Sequence, residues 1–166
     1  EYPFQSICSE YFTVGGTDYL VVVDRYSNWP SIQRITHGEA NSKRLVGELK
    51  KHCATCGIPE ELSSDGGPQF TSKETQSFMD DFGIHSRISS VAFPHSNSRA
   101  EIGVKSMKRL IMDNTGPGGT IDTDKVLRGI LQYRNTPDPV TGMSPAEVVF
   151  GRQNRDFTPV LPGKYR

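Results

Sequence analysis

The chain has 166 residues, 34% of them hydrophobic and 23% charged, the composition of one globular domain with enough length to bury a core. Its longest uninterrupted apolar run, Tyr19 to Val23, falls far short of the roughly 20 residues needed to span a bilayer, so no transmembrane segment and no membrane partner are expected. Lys plus Arg and Asp plus Glu each number 19, which excludes a generally basic protein but not a chain whose charge is sorted along its length.

In chain order, Ile7 to Phe12 and Tyr19 to Tyr26 are rich in β-formers, and Gly15-Gly16 between them signals a hairpin. A third strand follows Pro30 and runs from about Ser31 to Thr36. Asn41 to Cys56 carries Leu45, Val46, Leu49 and Cys53 at helical spacing and stops at Gly57, with Pro59 close behind. A short buried strand leads into Ser63-Ser64-Asp65. Thr71 to Phe82 then reads as a helix with Thr71 as N-cap, Glu74 three residues on as its capping-box partner, and Gly83 as its stop. His85 to Ser89 is strand-like, Ala100 to Met112 is a helix with Ile102, Val104, Met107 and Ile111 available for burial, and Asp124 to Tyr133 and Ser144 to Phe150 are two more helices. Gly116-Pro117-Gly118-Gly119 is a flexible loop between helices, and the Pro-rich end from Pro159 is extended. The order β-β-β-α-β-α-β-α-α-α predicts an α/β domain, a mixed sheet with helices packed against it.

Charge is sorted as well. From Glu60 to Phe82 six acids (Glu60, Glu61, Asp65, Glu74, Asp80, Asp81) face Lys73 alone, a net of −5; from Ser86 to Met112 Arg87, Arg99, Lys105, Lys108 and Arg109 face Glu101 alone, a net of +4. Such neighbouring stretches are either a solvated surface or a site that holds cations beside a polyanion.

Three acids stand out. Asp65 follows a predicted strand and precedes Gly66-Gly67-Pro68, the end of an α/β sheet where functional groups are presented; the plain alternative is an Asx turn that caps its own backbone. Glu101 opens a helix, where it can equally serve the helix dipole. Glu10 lies mid-strand, where a carboxylate pays for desolvation unless it is paired, binds a metal, or sits at an exposed edge. Brought together, the three would repel one another unless hard divalent cations such as Mg²⁺ or Mn²⁺ held them. Lys105, Lys108 and Arg109 follow Glu101 by four, seven and eight positions, along one helical face suited to phosphates or simply to water. Cys53 and Cys56 form a C-x-x-C beside His52, but no second ligand pair follows at finger spacing, so no zinc is expected. His95 is a candidate DNA contact or an exposed loop residue, and Trp29 a core or sheet-edge aromatic.

Cys8-Ser9-Glu10-Tyr11-Phe12, Tyr19 to Asp24 with Arg25-Tyr26-Ser27, Gly57-Ile58-Pro59, Ser64-Asp65-Gly66-Gly67-Pro68-Gln69-Phe70 and Pro94-His95-Ser96-Asn97-Ser98-Arg99-Ala100-Glu101 together resemble the integrase core of Ty3/Gypsy-type LTR retrotransposons. The 35 residues between Asp65 and Glu101 match the spacing that names the D,D-35-E integrases and transposases. Tyr133-Arg134-Asn135-Thr136-Pro137, Ser144-Pro145-Ala146 and Phe150-Gly151-Arg152 resemble the same family's later helices. The resemblance implies an RNase H-like (ribonuclease H superfamily) mixed five-stranded sheet flanked by helices, with the integrase core at 1–152 and an extended tail at 153–166 leading toward a C-terminal module. It implies a metal-dependent polynucleotidyl transferase that carries out 3′ processing and strand transfer of retrotransposon DNA, with two Mg²⁺ or Mn²⁺ ions held by Glu10, Asp65 and Glu101. Asn97 matches the asparagine of the family's active-site loop, and Lys105 and Lys108 match basic positions that touch element DNA; His95, Arg99 and Arg109 complete the expected DNA-binding set. The implied partners are element-end (LTR) DNA, target DNA and further copies in a homodimer or higher oligomer. The implied location is the nucleus after entry from the cytoplasm, and an odd count of three cysteines suits such reducing compartments. No signal-peptide pattern opens the chain. Two positions depart from the family pattern: Glu10 stands where the family has Asp, and Ser98 where the loop often has Gly. The first departure leaves a second reading, a domesticated, catalytically impaired integrase-derived module that binds DNA or protein. A nuclease of the RNase H type, cleaving RNA-DNA hybrids without joining, is a further rival.

Overall fold

A computed structural model describes residues 1–88 and 98–157, the side chains of residues 98 and 99 excepted. Five strands form one sheet: β1 (Ser6–Val14), β2 (Thr17–Asp24), β3 (Pro30–Ile35), β4 (Glu61–Ser64) and β5 (His85–Ile88). Their order is β3-β2-β1-β4-β5. β1 to β3 form an antiparallel meander, whereas β4 pairs parallel to β1, and β5 parallel to β4. The helices are α1 (Ser42–Cys56), α2 (Pro68–Thr71), α3 (Lys73–Phe82), α4 (Ser98–Asp113), α5 (Thr123–Asn135) and α6 (Pro145–Phe150).

The period-2 alternation of the central strands divides the core between the two faces of the sheet. Ile7, Leu20, Val22, Ile35 and Leu62 meet Leu45, Val46 and Leu49 of α1 and Phe78 and Met79 of α3. On the other face, Cys8, Phe12, Tyr19, Val21 and Val23 meet Ala100, Val104, Met107 and Ile111 of α4 and Val126 and Ile130 of α5. Tyr19 to Asp24 is buried along its whole length because both faces of β2 are covered.

Several local expectations are corrected. β2 ends at Asp24, two residues before Tyr26, because the buried Asp24 carboxylate closes the next turn, accepting from Ser27 N–H at 2.9 Å and from Ser27 Oγ. α3 is capped by Ser72, not Thr71: Ser72 Oγ accepts from Thr75 N–H at 3.3 Å, and Thr71 ends the separate turn that Pro68 initiates. The capping box belongs instead to α6, where Ser144 and Glu147 bond reciprocally. Ser89 lies outside the described residues.

The connector between α4 and α5 is a 3₁₀ turn (Pro117–Gly119) pinned to the β1–β2 hairpin. Gly119 has φ +81°, and a Cβ there would stand 2.4 Å from the Gly15 carbonyl oxygen. Trp29 is half-buried at the sheet edge, with Phe150 edge-to-face at 5.3 Å and the Arg134 guanidinium 4.1 Å from its ring centre. Beyond α6, the Asn135 amide donates to the Asn154 carbonyl and to Asp156, which holds this segment back along α5.

Candidate active site

Parallel pairing sets the first two acids side by side. β1 and β4 are in register at Cys8 and Ser63; Glu10 lies two residues further along β1, and Asp65 two residues further along the chain, just past the end of β4. β1 is the middle strand of five, but its pairing with β4 ends at Cys8, so Glu10 is paired with Val21 of β2 alone; it is half-buried on the α4 side between Cys8 and Phe12. Asp65 is exposed, and its Oδ1 accepts from Gly67 N–H at 3.1 Å. The Asx turn is therefore present, and it sets the direction of the carboxylate. Glu101 is half-buried in the first turn of α4, next to the fully buried Ala100 that seats the helix on the sheet.

The electrostatics tie the three together. Burial raises the Glu10 carboxyl from 4.5 to about 6, and the negative charges of Asp65 and Glu101 add to the rise; Lys108 opposes it. Beneath them the Cys8 thiol is pushed up to about 11 by burial and then by Glu10, while a side-chain hydrogen bond with Ser63 acts the other way. Cys8 and Ser63 were not among the sequence candidates, although Cys8 shares the period-2 face of Glu10. Lys105, Lys108 and Arg109 are all exposed on α4, and Lys108 is the base felt by Glu10. His95 and Asn97 lie outside the described residues, as does the side chain of Arg99.

Oxygen donors that repel one another fit Mg²⁺ or Mn²⁺, since a hard dication offsets the repulsion by Asp65 and Glu101 that adds to the effect of burial on Glu10. The spacing is not closed: among the described residues no three His, Cys, Asp or Glu side chains are grouped tightly enough to hold an ion. Cys53 and Cys56 are half-buried free thiols at the end of α1, both raised chiefly by burial.

The profile of the Integrase core domain family matches residues 3–94, more than half of the chain. The uncharacterized protein K02A2.6 of Caenorhabditis elegans is 32% identical over 149 residues, which are 89% of this chain and 12% of that protein. The Gag-Pol polyprotein of feline leukemia virus is 32% identical over 140 residues, 82% of this chain and 8% of the polyprotein. The chain thus spans about a tenth of the length of these relatives. Among solved structures, the simian T-cell lymphotropic virus intasome in complex with PP2A regulatory subunit B56 gamma superposes with a TM-score of 0.73 at 15% identity, covering 97% of this chain and 59% of that one. The catalytic core domain of BIV integrase superposes with a TM-score of 0.68 at 16% identity, covering 87% and 93%. The five-stranded mixed sheet with flanking helices is accordingly the RNase H-like fold of integrase catalytic cores. By the profile match and the relatives, viral Gag-Pol and Pol polyproteins among them, this chain belongs to the integrase core domain family and is a retroviral-type integrase core.

Proposed function

We propose that the chain is the catalytic core of a DNA integrase that performs 3′ processing and strand transfer of retrotransposon DNA into target DNA. The observation that supports this most is the convergence of three acids from separate elements, Glu10 from the middle of β1, Asp65 just after β4 and Glu101 in the first turn of α4, with the charges of Asp65 and Glu101 both acting on Glu10. These carboxylates would hold Mg²⁺ or Mn²⁺, two ions per site when DNA is engaged. Bound there, the ions would activate a water or a 3′-hydroxyl and stabilise the leaving oxygen of a phosphodiester.

The chain's own residues supply the remainder. The three carboxylates present a concentrated negative charge that rejects phosphate until cations neutralise it. Gly67 N–H orients Asp65, and α4 carries Glu101 together with Lys105, Lys108 and Arg109, whose exposed cationic groups would grip phosphates beside the reacting bond. His95, Asn97 and Arg99 are assigned to the same DNA contact. The working form is a homodimer or higher oligomer acting on chromosomal DNA in the nucleus.

A second reading is favoured by Glu10 itself. The extra methylene relative to the family's Asp lengthens the side chain by more than an ångström, in a site whose geometry must hold within about 0.5 Å, and the described acids form no closed ligand group. On that reading the chain is a binding module that has lost its chemistry.

Strand transfer and the reverse disintegration reaction, run on a labelled LTR-end duplex in Mn²⁺ and in Mg²⁺, distinguish the two. The comparison uses the unmodified chain, Glu10→Asp and Asp65→Asn. Activity of the unmodified chain that disappears in Asp65→Asn supports the enzyme. Silence relieved only by Glu10→Asp supports the retired site, and activity that survives Asp65→Asn sinks both assignments.

A further inference from the structure

We propose that Asn28 and Tyr133 are positioning residues that set the depth of α4 on the sheet and so hold Glu101 opposite Glu10 and Asp65. The inference rests on the metal-site reading above. Asn28 lies in the turn after β2 with φ +62°, a left-handed conformation that Asn tolerates better than most residues. Its backbone N–H donates to the Asp24 carbonyl at 2.8 Å, which fixes the turn to the end of β2. Its side-chain Nδ2 donates to the Tyr133 hydroxyl of α5 at 2.8 Å.

The other end of the amide meets α4. Asn28 Oδ1 is buried and accepts no hydrogen bond among the described residues. A Cβ placed on Gly103 would stand 2.7 Å from that oxygen and 3.0 Å from Val23 Cγ1. The helix backbone is therefore seated directly against Asn28 and Val23, and the contact falls two residues after Glu101, on the turn that carries it. A buried acceptor left unpaired costs about 1–3 kcal/mol, and glycine would satisfy the left-handed turn without that cost, so the turn alone does not account for the amide. What the amide supplies instead is a fixed spacing: Tyr133 holds one end, and the other sets how closely α4 can approach.

Mn²⁺ affinity of the 166-residue chain, followed through the electron paramagnetic resonance of the free ion, tests this without requiring turnover. Gly103→Ala adds a methyl against Asn28 and Val23, lifts α4, and should weaken Mn²⁺ binding about tenfold or more, as expected for a displaced ligand. Adding Asn28→Gly, which keeps the left-handed turn and removes the obstructing oxygen, should recover part of that loss. Tyr133→Phe releases the anchor and should weaken binding several-fold at temperatures well below its melting point; where Gly103→Ala fails to fold, this variant decides. A purely structural role would lower the melting temperature and leave Mn²⁺ affinity unchanged. Asp65→Asn separates the two claims. If it abolishes binding while folded Tyr133→Phe and Gly103→Ala bind as the parent does, the positioning role is overturned and the metal site stands. If Asp65→Asn binds Mn²⁺ normally, both are overturned.

Discussion

Replacing Glu10 with Gln removes a carboxyl that the fold holds near 6 instead of 4.5. An acid whose folded-state value is raised favours the folded state while protonated, so the parent's relative stability is complete below about 4.5 and is lost as pH climbs through about 6. The rise corresponds to about 2 kcal/mol at neutral pH, and solvent screening of a half-buried group reduces it to about 1 kcal/mol. The metal-free Gln variant should therefore melt about 2–4 °C above the parent at pH 7.5, with the gap closing by pH 4. Thermal unfolding by circular dichroism in EDTA across that range measures it. Mg²⁺ should then raise the parent's melting point more than the variant's, because the ion relieves a repulsion that Gln no longer has. A gap as large at pH 4 as at pH 7.5, or a variant less stable throughout, would refute the electrostatic account of Glu10.

Two further outcomes follow from other elements. Lys105→Ala combined with Lys108→Ala should weaken binding to a DNA duplex and reduce the slope of log affinity against log salt by about 2; unchanged binding at low salt would make that face of α4 a solvent surface. Arg134→Ala removes the cation stacked on Trp29 and two donors to the Pro30 carbonyl, which should cost about 2 kcal/mol and change the emission of the single tryptophan. An unaltered spectrum and melting point would show that α5 does not rely on this contact.

Much of the fold was legible because periodicity carries it. The β-formers of Ile7–Phe12 and Tyr19–Val23, the Gly15-Gly16 turn and the apolar stripe of α1 each signal their element within a few residues of sequence. The start of α3 was not legible, because Thr71 and Ser72 are both good caps and only the earlier turn begun by Pro68 decides between them. In the candidate site, the three acids stood out by residue type and by their places in strand, strand end and helix start, and their roles came from the family resemblance. The proton affinity of Glu10 was not legible, since it depends on how α4 and the neighbouring acids enclose the carboxyl. The contacts of Asn28 with Tyr133 and Gly103 were also hidden: they join a turn, a hydroxyl on α5 and a helical glycine that no local pattern connects.

The touching backbones of Gly15 and Gly119 also constrain how this sequence can drift. Each is a left-handed glycine, and the space a side chain on either would need is taken by the other's main chain or by Thr115. A single substitution at either position meets both backbone strain and a collision, so neither can change gradually. The hairpin tip and the connector, far apart in the chain, therefore form one unit of variation: lengthening or reshaping one is tolerated only with a matching change in the other, and chimaeras that take these two segments from different relatives should fail at this joint first.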